Sequence, residues 1–290
     1  HENGKALIDI LDNTQNPMGS RMIRQWLAMP LKNIHTIQQR LDIVEYFVQH
    51  YDYLKEIHSL IKLVGDVERM MARSVAKRIT PREVNVLKNA LQYIQKIQQL
   101  LVSTQQPALL KFAEQINPCE LLKDKIHQYL EEDAPSQIGK GKTIKPNVHS
   151  QLDELRYIAY SGKDYLIQIQ QREIQRTNIP SLKIAYNNVF GYYLEVTNTH
   201  KNKVPPDWIR KQTLTNAERY ITPELKEYEE KILGAEEKIL ELETALFNEL
   251  VDSINQYTAP ILHNARIIAQ LDVLLNFAHL AISYNYTRPV

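Results

Sequence analysis

Two stretches of this 290-residue chain repeat apolar residues at alternating steps of three and four, and that spacing constrains the fold more than any other feature. The first runs through Leu152, Leu155, Ala159, Gly162, Leu166 and Ile169. The second runs through Leu225, Tyr228, Ile232, Ala235, Ile239, Leu242 and Leu246. A repeat of about 3.5 residues keeps one stripe of an under-wound helix facing a partner, so both stretches are expected to be left-handed coiled-coil seams. Residues 150–177 as one helix would span roughly 40 Å at 1.5 Å per residue. Ala159, Gly162 and Ala235 are small enough to let two backbones approach closely. Each seam packing into an ordinary bundle core is one reading. Mutual antiparallel pairing is the favoured one, because the segment between the seams reads as an insertion at the far end of a helical hairpin.

That segment, about 178–223, changes character. Leu182 to Tyr186 alternates with the period of two that a strand requires, Asn187-Asn188 marks a turn, and Val189 to Thr197 is β-branched and aromatic. Pro205-Pro206 breaks the chain, and Gln212-Thr213-Leu214 is a further candidate strand. Thr222 is a candidate cap for the helix that restarts at Pro223-Glu224. A small antiparallel sheet is thus expected between the two long helices, far from the helical body.

The rest of the chain reads as helices with short breaks: Leu7 to Leu11, Met18 to Met29, Ile34 to Val48, Tyr53 to Val64, Asp66 to Ala76, Pro81 to Leu101, Phe112 to Ile116 and Pro118 to Leu130. Residues 131–147 are polar with Gly and Pro and read as a turn or short hairpin. Only eight glycines occur among abundant Leu, Ile, Gln, Glu and Lys, a mixture that favours helix. The fold class expected is mainly α: a multi-helix body, long antiparallel coiled-coil helices, and a small antiparallel β-sheet inserted between them.

Net charge is +1, so the chain as a whole is no polybasic nucleic-acid binder, and any such affinity must come from segregated charge. Residues 181–222 carry Lys183, Lys201, Lys203, Arg210, Lys211 and Arg219 against Glu195, Asp207 and Glu218, while the remainder is slightly acidic. Chance enrichment on a solvated surface would give the same modest excess. The one cysteine, Cys119, excludes an intramolecular disulfide and a Cys-rich zinc site and fits a reducing cytoplasm. No apolar run of membrane-spanning length and no signal peptide is read, so no membrane is expected as a partner. The chain begins at His1 and ends at Tyr286-Thr287-Arg288-Pro289-Val290, and both ends are expected to be cuts in a longer protein.

Several ordered motifs resemble the MutS family of DNA mismatch-recognition proteins. Gln212 to Glu229 is similar to the end of that family's clamp and the start of its descending helix. Leu182-Lys183-Ile184, Asn187 and Gly191 to Val196 are similar to the clamp's strand pair. Leu11-Asp12-Asn13-Thr14, Met18-Gly19-Ser20-Arg21, Trp26-Leu27 and Pro30 resemble the start of the lever. Gly65 to Arg69, Ala72-Arg73 and Leu271-Asp272-Val273-Leu274 add two more matches, so the resemblance covers nearly the whole chain.

The resemblance implies that residues 1–177 and 224–290 form the lever (core) domain and 178–223 the clamp. It implies a parent protein that binds double-stranded DNA as a homodimer and hydrolyses ATP with Mg2+. It also implies a downstream mismatch repair partner of the MutL type and a place in the bacterial cytoplasm, associated with the nucleoid. In the family a separate N-terminal domain probes the mismatch, and a C-terminal ATPase domain drives conversion to a sliding clamp.

Neither domain is read in this chain. Phe112-Ala113-Glu114 has the letters of the mismatch reader's Phe-x-Glu, but it falls in a helical segment and reads as packing. Gly141-Lys142-Thr143 ends like a phosphate-binding loop, but Ser136 stands where the leading glycine belongs and no apolar strand precedes it. The nine histidines are dispersed, and Glu227, Glu229, Glu230, Glu236 and Glu237 fall between seam positions and read as a solvated helix face. No catalytic residue, resident cofactor or metal ligand is expected; the expectation for this chain is a non-enzymatic scaffold and grip.

Phosphate contact needs Lys or Arg, short polar donors and backbone N–H groups, and it carries no sequence information. Asn198 to Lys203 and Arg210 to Asn216 offer that mixture. By similarity these polar turns face the DNA backbone, and the candidate contacts are Thr199, Lys201, Lys203, Arg210, Lys211, Thr215 and Asn216. Tyr186, Tyr192, Tyr193 and Trp208 are read as packing the small sheet, since a duplex offers no free bases to stack on. The rival reading is a coiled-coil structural scaffold whose tip binds a protein partner.

Overall fold

The structure is a computed structural model and describes residues 4–289; the two chain ends, expected to be cuts, lie outside the described residues. The chain forms two compact units, one of His1–Lys145 with Leu246–Val290 and the other of Pro146–Ala245.

The first unit holds α1 (Leu7–Leu11), α2 (Pro17–Ala28), α3 (Ile34–Gln49), α4 (Tyr51–Val64), α5 (Val67–Val75), α6 (Pro81–Ser103), α7 (Pro107–Gln115), α8 (Glu120–Tyr129), the end of α10 (Pro223–Gln256) and α11 (Thr258–Tyr284). Helix starts follow local chemistry. Pro17, Pro81 and Pro107 sit in first turns, where a missing N–H costs nothing. Thr80 and Glu83 cap each other's backbone N–H reciprocally. Residues 131–145 form turns with a single bridge between Leu130 and Ile144, and Gly141-Lys142-Thr143 lies in them. Phe112 is half-buried within α7, beside the buried Ala113.

Helix α11 is the core of this unit and packs against α2, α3, α4, α5 and α7. It corrects the sequence reading: by length and composition it is apolar enough to cross a membrane, with a mean hydropathy of 1.4 in its most apolar stretch. Its burial among helices gives that apolarity a use, and Asn264, Asp272 and Asn276 are fully buried within it. In the sequence, those three polar residues break up the run.

Two of them collect motifs that lie far apart in the chain. Asn276 accepts the Asn13 N–H at 3.0 Å and donates to the Leu11 carbonyl at 2.7 Å. Asp272, one turn earlier, accepts the N–H groups of Gln15 and Asn16, each at 3.0 Å. Asn16 caps α2 through Met18 and donates to the carbonyls of Ile61 and Gly65. Asp12 takes the Ser20 and Thr14 hydroxyls at 2.6 Å, and Arg21 forks onto Asp66 at 2.8 and 2.9 Å. A Cβ on Gly19 would stand 2.1 Å from an Asp272 carboxylate oxygen, so only glycine admits this approach. Burial pushes the Asp272 carboxyl up to about 6, against the pull of its two backbone N–H donors. Burial, and then His279, pushes His58 down to about 4; its Nε2 lies 4.0 Å from Asp272.

The second unit contains α9 (Ser150–Thr177), β1 (Lys183–Asn187), β2 (Gly191–Thr197), a 3-10 turn (Asn198–Lys203), β3 (Ile209–Thr213), β4 (Ala217–Ile221) and most of α10. The two long helices run antiparallel. Arg156 meets Glu243 at 2.6 Å, Lys163 meets Glu236 at 2.6 Å, and Tyr165 donates to Glu224 at 2.8 Å. Gly162 lies under Ile232, whose Cγ1 would be 2.5 Å from an added Cβ, so close packing explains this glycine. Gly234 has nothing within 4 Å of an added Cβ, and packing does not explain it. Of the seam residues, Leu152, Ala159, Gly162, Leu166, Ile169, Leu225, Ile232, Ala235 and Leu246 are buried. Leu155, Tyr228, Ile239 and Leu242 are only half-buried.

The sheet is antiparallel in the order β1-β2-β4-β3. Leu194, Val196, Trp208 and Tyr220 join Leu166, Ile169, Leu225 and Ile232 in one core, which seats the sheet where α9 ends and α10 begins. The sequence reading has no strand at 217–221, because Glu218 and Arg219 interrupt its apolar pattern. Thr222 caps α10, as expected, by accepting the Leu225 N–H at 3.1 Å. Glu229 departs from the solvated face assigned to it. It is buried, accepts the Tyr192 N–H and the Lys226 ammonium, and would collide with any Cβ on Gly191, whose φ is +73°. Glu227 and Glu236 pair with Lys231 and Lys163, and Glu230 and Glu237 are exposed. Tyr193 and Trp208 are buried and Tyr192 half-buried, whereas Tyr186 is 46% exposed and packs only its edge of the sheet.

Candidate nucleic-acid interface

Strand direction sets which loops meet. The β1–β2 turn lies at one end of the sheet. The 3-10 turn after β2 and the β3–β4 turn lie together at the other. Asn198 joins them: its backbone N–H donates to the Asn216 carbonyl at 3.1 Å and its Nδ2 to the Thr215 carbonyl at 2.8 Å. Thr199, Thr215 and Asn216, expected as contacts from separate stretches, are therefore neighbours, and all three are exposed.

Hydroxyls extend this edge. Thr197 Oγ1 lies 3.1 Å from both Ser181 Oγ and Thr199 Oγ1. Three hydroxyls carry three protons and make two mutual bonds, so one proton is left over for a further acceptor.

The cations divide into two groups. Arg219 is spent inside the sheet, on Glu195 at 3.1 Å, on Gln212 at 2.9 Å and over the Tyr193 ring. Arg210, exposed on the edge strand, reaches Glu218 at 3.3 Å. The Tyr220 hydroxyl, and then Arg210, hold the Glu218 carboxyl below the usual carboxylate range, while burial and Glu218 push Tyr220 up to about 12. Asp207 pairs with Arg176 of α9 at 2.6 Å. Every acid of residues 181–222 is thus matched to an arginine. Lys203 donates to the Asn178 carbonyl at 3.2 Å. Lys183, Lys201 and Lys211 are exposed, and among the described residues none of them is in an ion pair.

Lys211 owes its placement to a backbone irregularity. The β3–β4 register passes from Arg210 opposite Tyr220 to Gln212 opposite Arg219, leaving Lys211 as the extra residue of a bulge. A bulge re-aims its side chain and blunts a sheet edge against further pairing. Sequence reasoning selects Lys211 by charge and by its place in a polar turn similar to the family's, and as contacts it misses Lys183, Ser181, Thr197 and the joining role of Asn198. The hydroxyl pattern Ser181, Thr197, Thr199 is visible in the sequence but unordered without strand register. Among the described residues no group of three or more His, Cys, Asp or Glu side chains is placed to hold a metal ion.

Comparison with known proteins places this chain in a family. A family model described as MutS domain III matches residues 1–278. The chain is 52% identical over 290 residues to the DNA mismatch repair protein MutS of Parabacteroides distasonis, covering 100% of the chain and 33% of that protein. It is 56% identical over 287 residues to the protein of the same name from Cytophaga hutchinsonii, covering 99% of the chain and 34% of the relative. The Flavobacterium psychrophilum protein is 50% identical over 287 residues, with 99% and 33% covered. The chain spans about a third of the length of the curated relatives it matches. With the family model matched over residues 1–278 and relatives at least half identical along nearly the whole chain, this chain belongs to the MutS domain III family.

Proposed function

We propose that this chain is the lever and clamp of a mismatch repair protein, with residues 178–223 as the clamp that grips double-stranded DNA by its phosphates. One observation carries the reading. The acids of the sheet are matched by arginines, and what remains on its surface is unpaired lysine beside exposed hydroxyls and amides. Such a surface holds phosphate without reading bases, as a protein sampling every mismatch requires. Residues 1–177 and 224–290 would be the lever, and the continuous α10 would relay movement from an ATPase domain elsewhere in the parent protein. That parent would bind ATP and Mg2+, act as a homodimer in the bacterial cytoplasm near the nucleoid, and engage a downstream partner of the MutL type.

The test is a titration of the 290-residue chain against perfect and mismatched duplexes at several salt concentrations. The expected outcome is weak binding with no preference for the mismatch. Replacing Lys201, Lys203 and Lys211 together by Gln should lower the salt slope by about 0.9 for each phosphate that these lysines neutralise. An unchanged slope would remove these lysines from the interface. A coiled-coil scaffold that binds protein is the second reading. Tyr157, Tyr160 and Ile167 on α9 and Leu240 on α10, all exposed, favour it. Tight capture of a protein partner without cross-linking of DNA at 198–216 would select it.

A further inference from the structure

Asn198 contributes two hydrogen bonds to one turn, and their direction has a chemical result. Its Nδ2 fixes the Thr215 carbonyl and its own N–H fixes the Asn216 carbonyl, so both carbonyls face the 3-10 turn. Among the described residues every peptide bond is trans. In a planar trans peptide the N–H points opposite the C=O. The N–H of Asn216, which shares its peptide with the Thr215 carbonyl, is therefore turned away from Asn198, toward solvent. Among the described residues neither the Asn216 N–H nor the Thr215 N–H has an acceptor, and both residues are exposed.

We infer that Asn198 is a positioning residue that clips the β3–β4 turn so that the free Asn216 backbone N–H donates to a DNA phosphate. The inference rests on the clamp reading above and deepens it. The lysines supply charge and the clipped turn supplies a fixed, uncharged donor. The Thr199 hydroxyl stands on the same edge through its bond to Thr197. A phosphate held there is placed by geometry as well as attracted by charge. Side-chain charge on long lysines cannot do this alone, because their stems stay mobile.

The two contributions differ in a measurable way. Lysine–phosphate contacts release counterions and set the salt slope, whereas a backbone N–H releases none. Asn198→Ala and Asn198→Leu both remove the side-chain donor, and the second keeps the bulk. Each should weaken duplex binding by the chain about tenfold, the scale of one hydrogen bond to a charged group, while the salt slope stays that of the parent. Amide hydrogen exchange should show the Asn216 N–H protected by a bound duplex in the parent and unprotected in both variants. Parent-like affinity in both variants would overturn the clip. A slope that falls with the affinity would also overturn it, by showing that the substitution disperses the lysines instead of releasing a neutral donor. Failure of the parent chain to bind any duplex would sink the clamp reading itself, and the clip with it.

Discussion

The junction under α11 and the loop end of the sheet are built from the same kinds of residue, chiefly Asn, Asp, Thr and Ser, yet their polar groups end differently. At the junction the Asn16, Asp272 and Asn276 side chains are buried and each meets backbone partners inside the unit. At the sheet's end, Thr199, Lys201, Lys211, Thr215 and Asn216 are exposed and largely turned outward. A buried polar group without a partner is costly, so the first arrangement fixes one geometry. An exposed donor without a partner costs little and stays available. The same vocabulary therefore encodes architecture in one region and recognition in the other. Burial, which no motif states, separates the two.

That contrast can be broken most forcefully at Gly19. Gly19→Ala would drive a methyl into Asp272 and should destabilise the first unit by about 3 kcal/mol, the upper range for overpacking. Urea unfolding measures it, and duplex affinity per folded molecule should not change. A change in affinity would show that the junction also tunes recognition.

A second test uses pH. Asp272 has its folded pKa raised to about 6, so its contribution is present below the unfolded value near 4 and is lost as pH rises through 6. His58, lowered to about 4, works the other way: the unfolded chain takes up its proton first as pH falls below 6.5, and stability drops. The two oppose each other between pH 4 and 6 and partly cancel there. His58→Gln should uncover the Asp272 trend, a loss of about 2 kcal/mol as pH rises from 4 to 6. Unfolding midpoints across that window would expose a wrong sign.

Smaller effects belong to the second unit. Gly234→Ala should raise stability by about 0.5 to 1 kcal/mol, since a half-buried helical glycine with open space around its Cα gains from a methyl. Gly162→Ala should lower it, because Ile232 occupies that space. Thermal melts of the two variants moving in the same direction would contradict the packing described for the paired helices. The smallest effect is expected at Arg210→Gln. Arg210 is already engaged by Glu218, so duplex binding should fall less than for Lys211→Gln in a side-by-side titration.

Much of the fold is legible from period alone. The seams at 152–169 and 225–246 stand out because helical spacing survives every tertiary detail, and Thr222 and Pro81 mark helix starts by chemistry that acts within a few residues. Strand β4 does not stand out, because Glu218 and Arg219 satisfy each other's region of the sheet through Arg210, Glu195 and Gln212, contacts invisible without register. Glu229 is misleading for a related reason: its partners, Tyr192 and Gly191, lie on a hairpin nearly forty residues earlier in the chain. Lys211 draws notice for its charge, but the bulge that presents it follows from a strand pairing. Local rules reach the elements, and pairing between distant strands decides the surface.

The core position of α11 bears on how the chain is made. The first unit closes only around a helix ending at Tyr284, whereas its other helices begin at Leu7. At ribosomal rates of about 5–20 residues per second, the apolar faces of α2 to α7 wait on the order of ten seconds for that helix. The second unit, encoded by the uninterrupted segment Pro146–Ala245, has all its parts during the wait. Nascent chains stalled before residue 258 should therefore carry a finished sheet beside an open helical shell, the state in which a chaperone would find the most to bind.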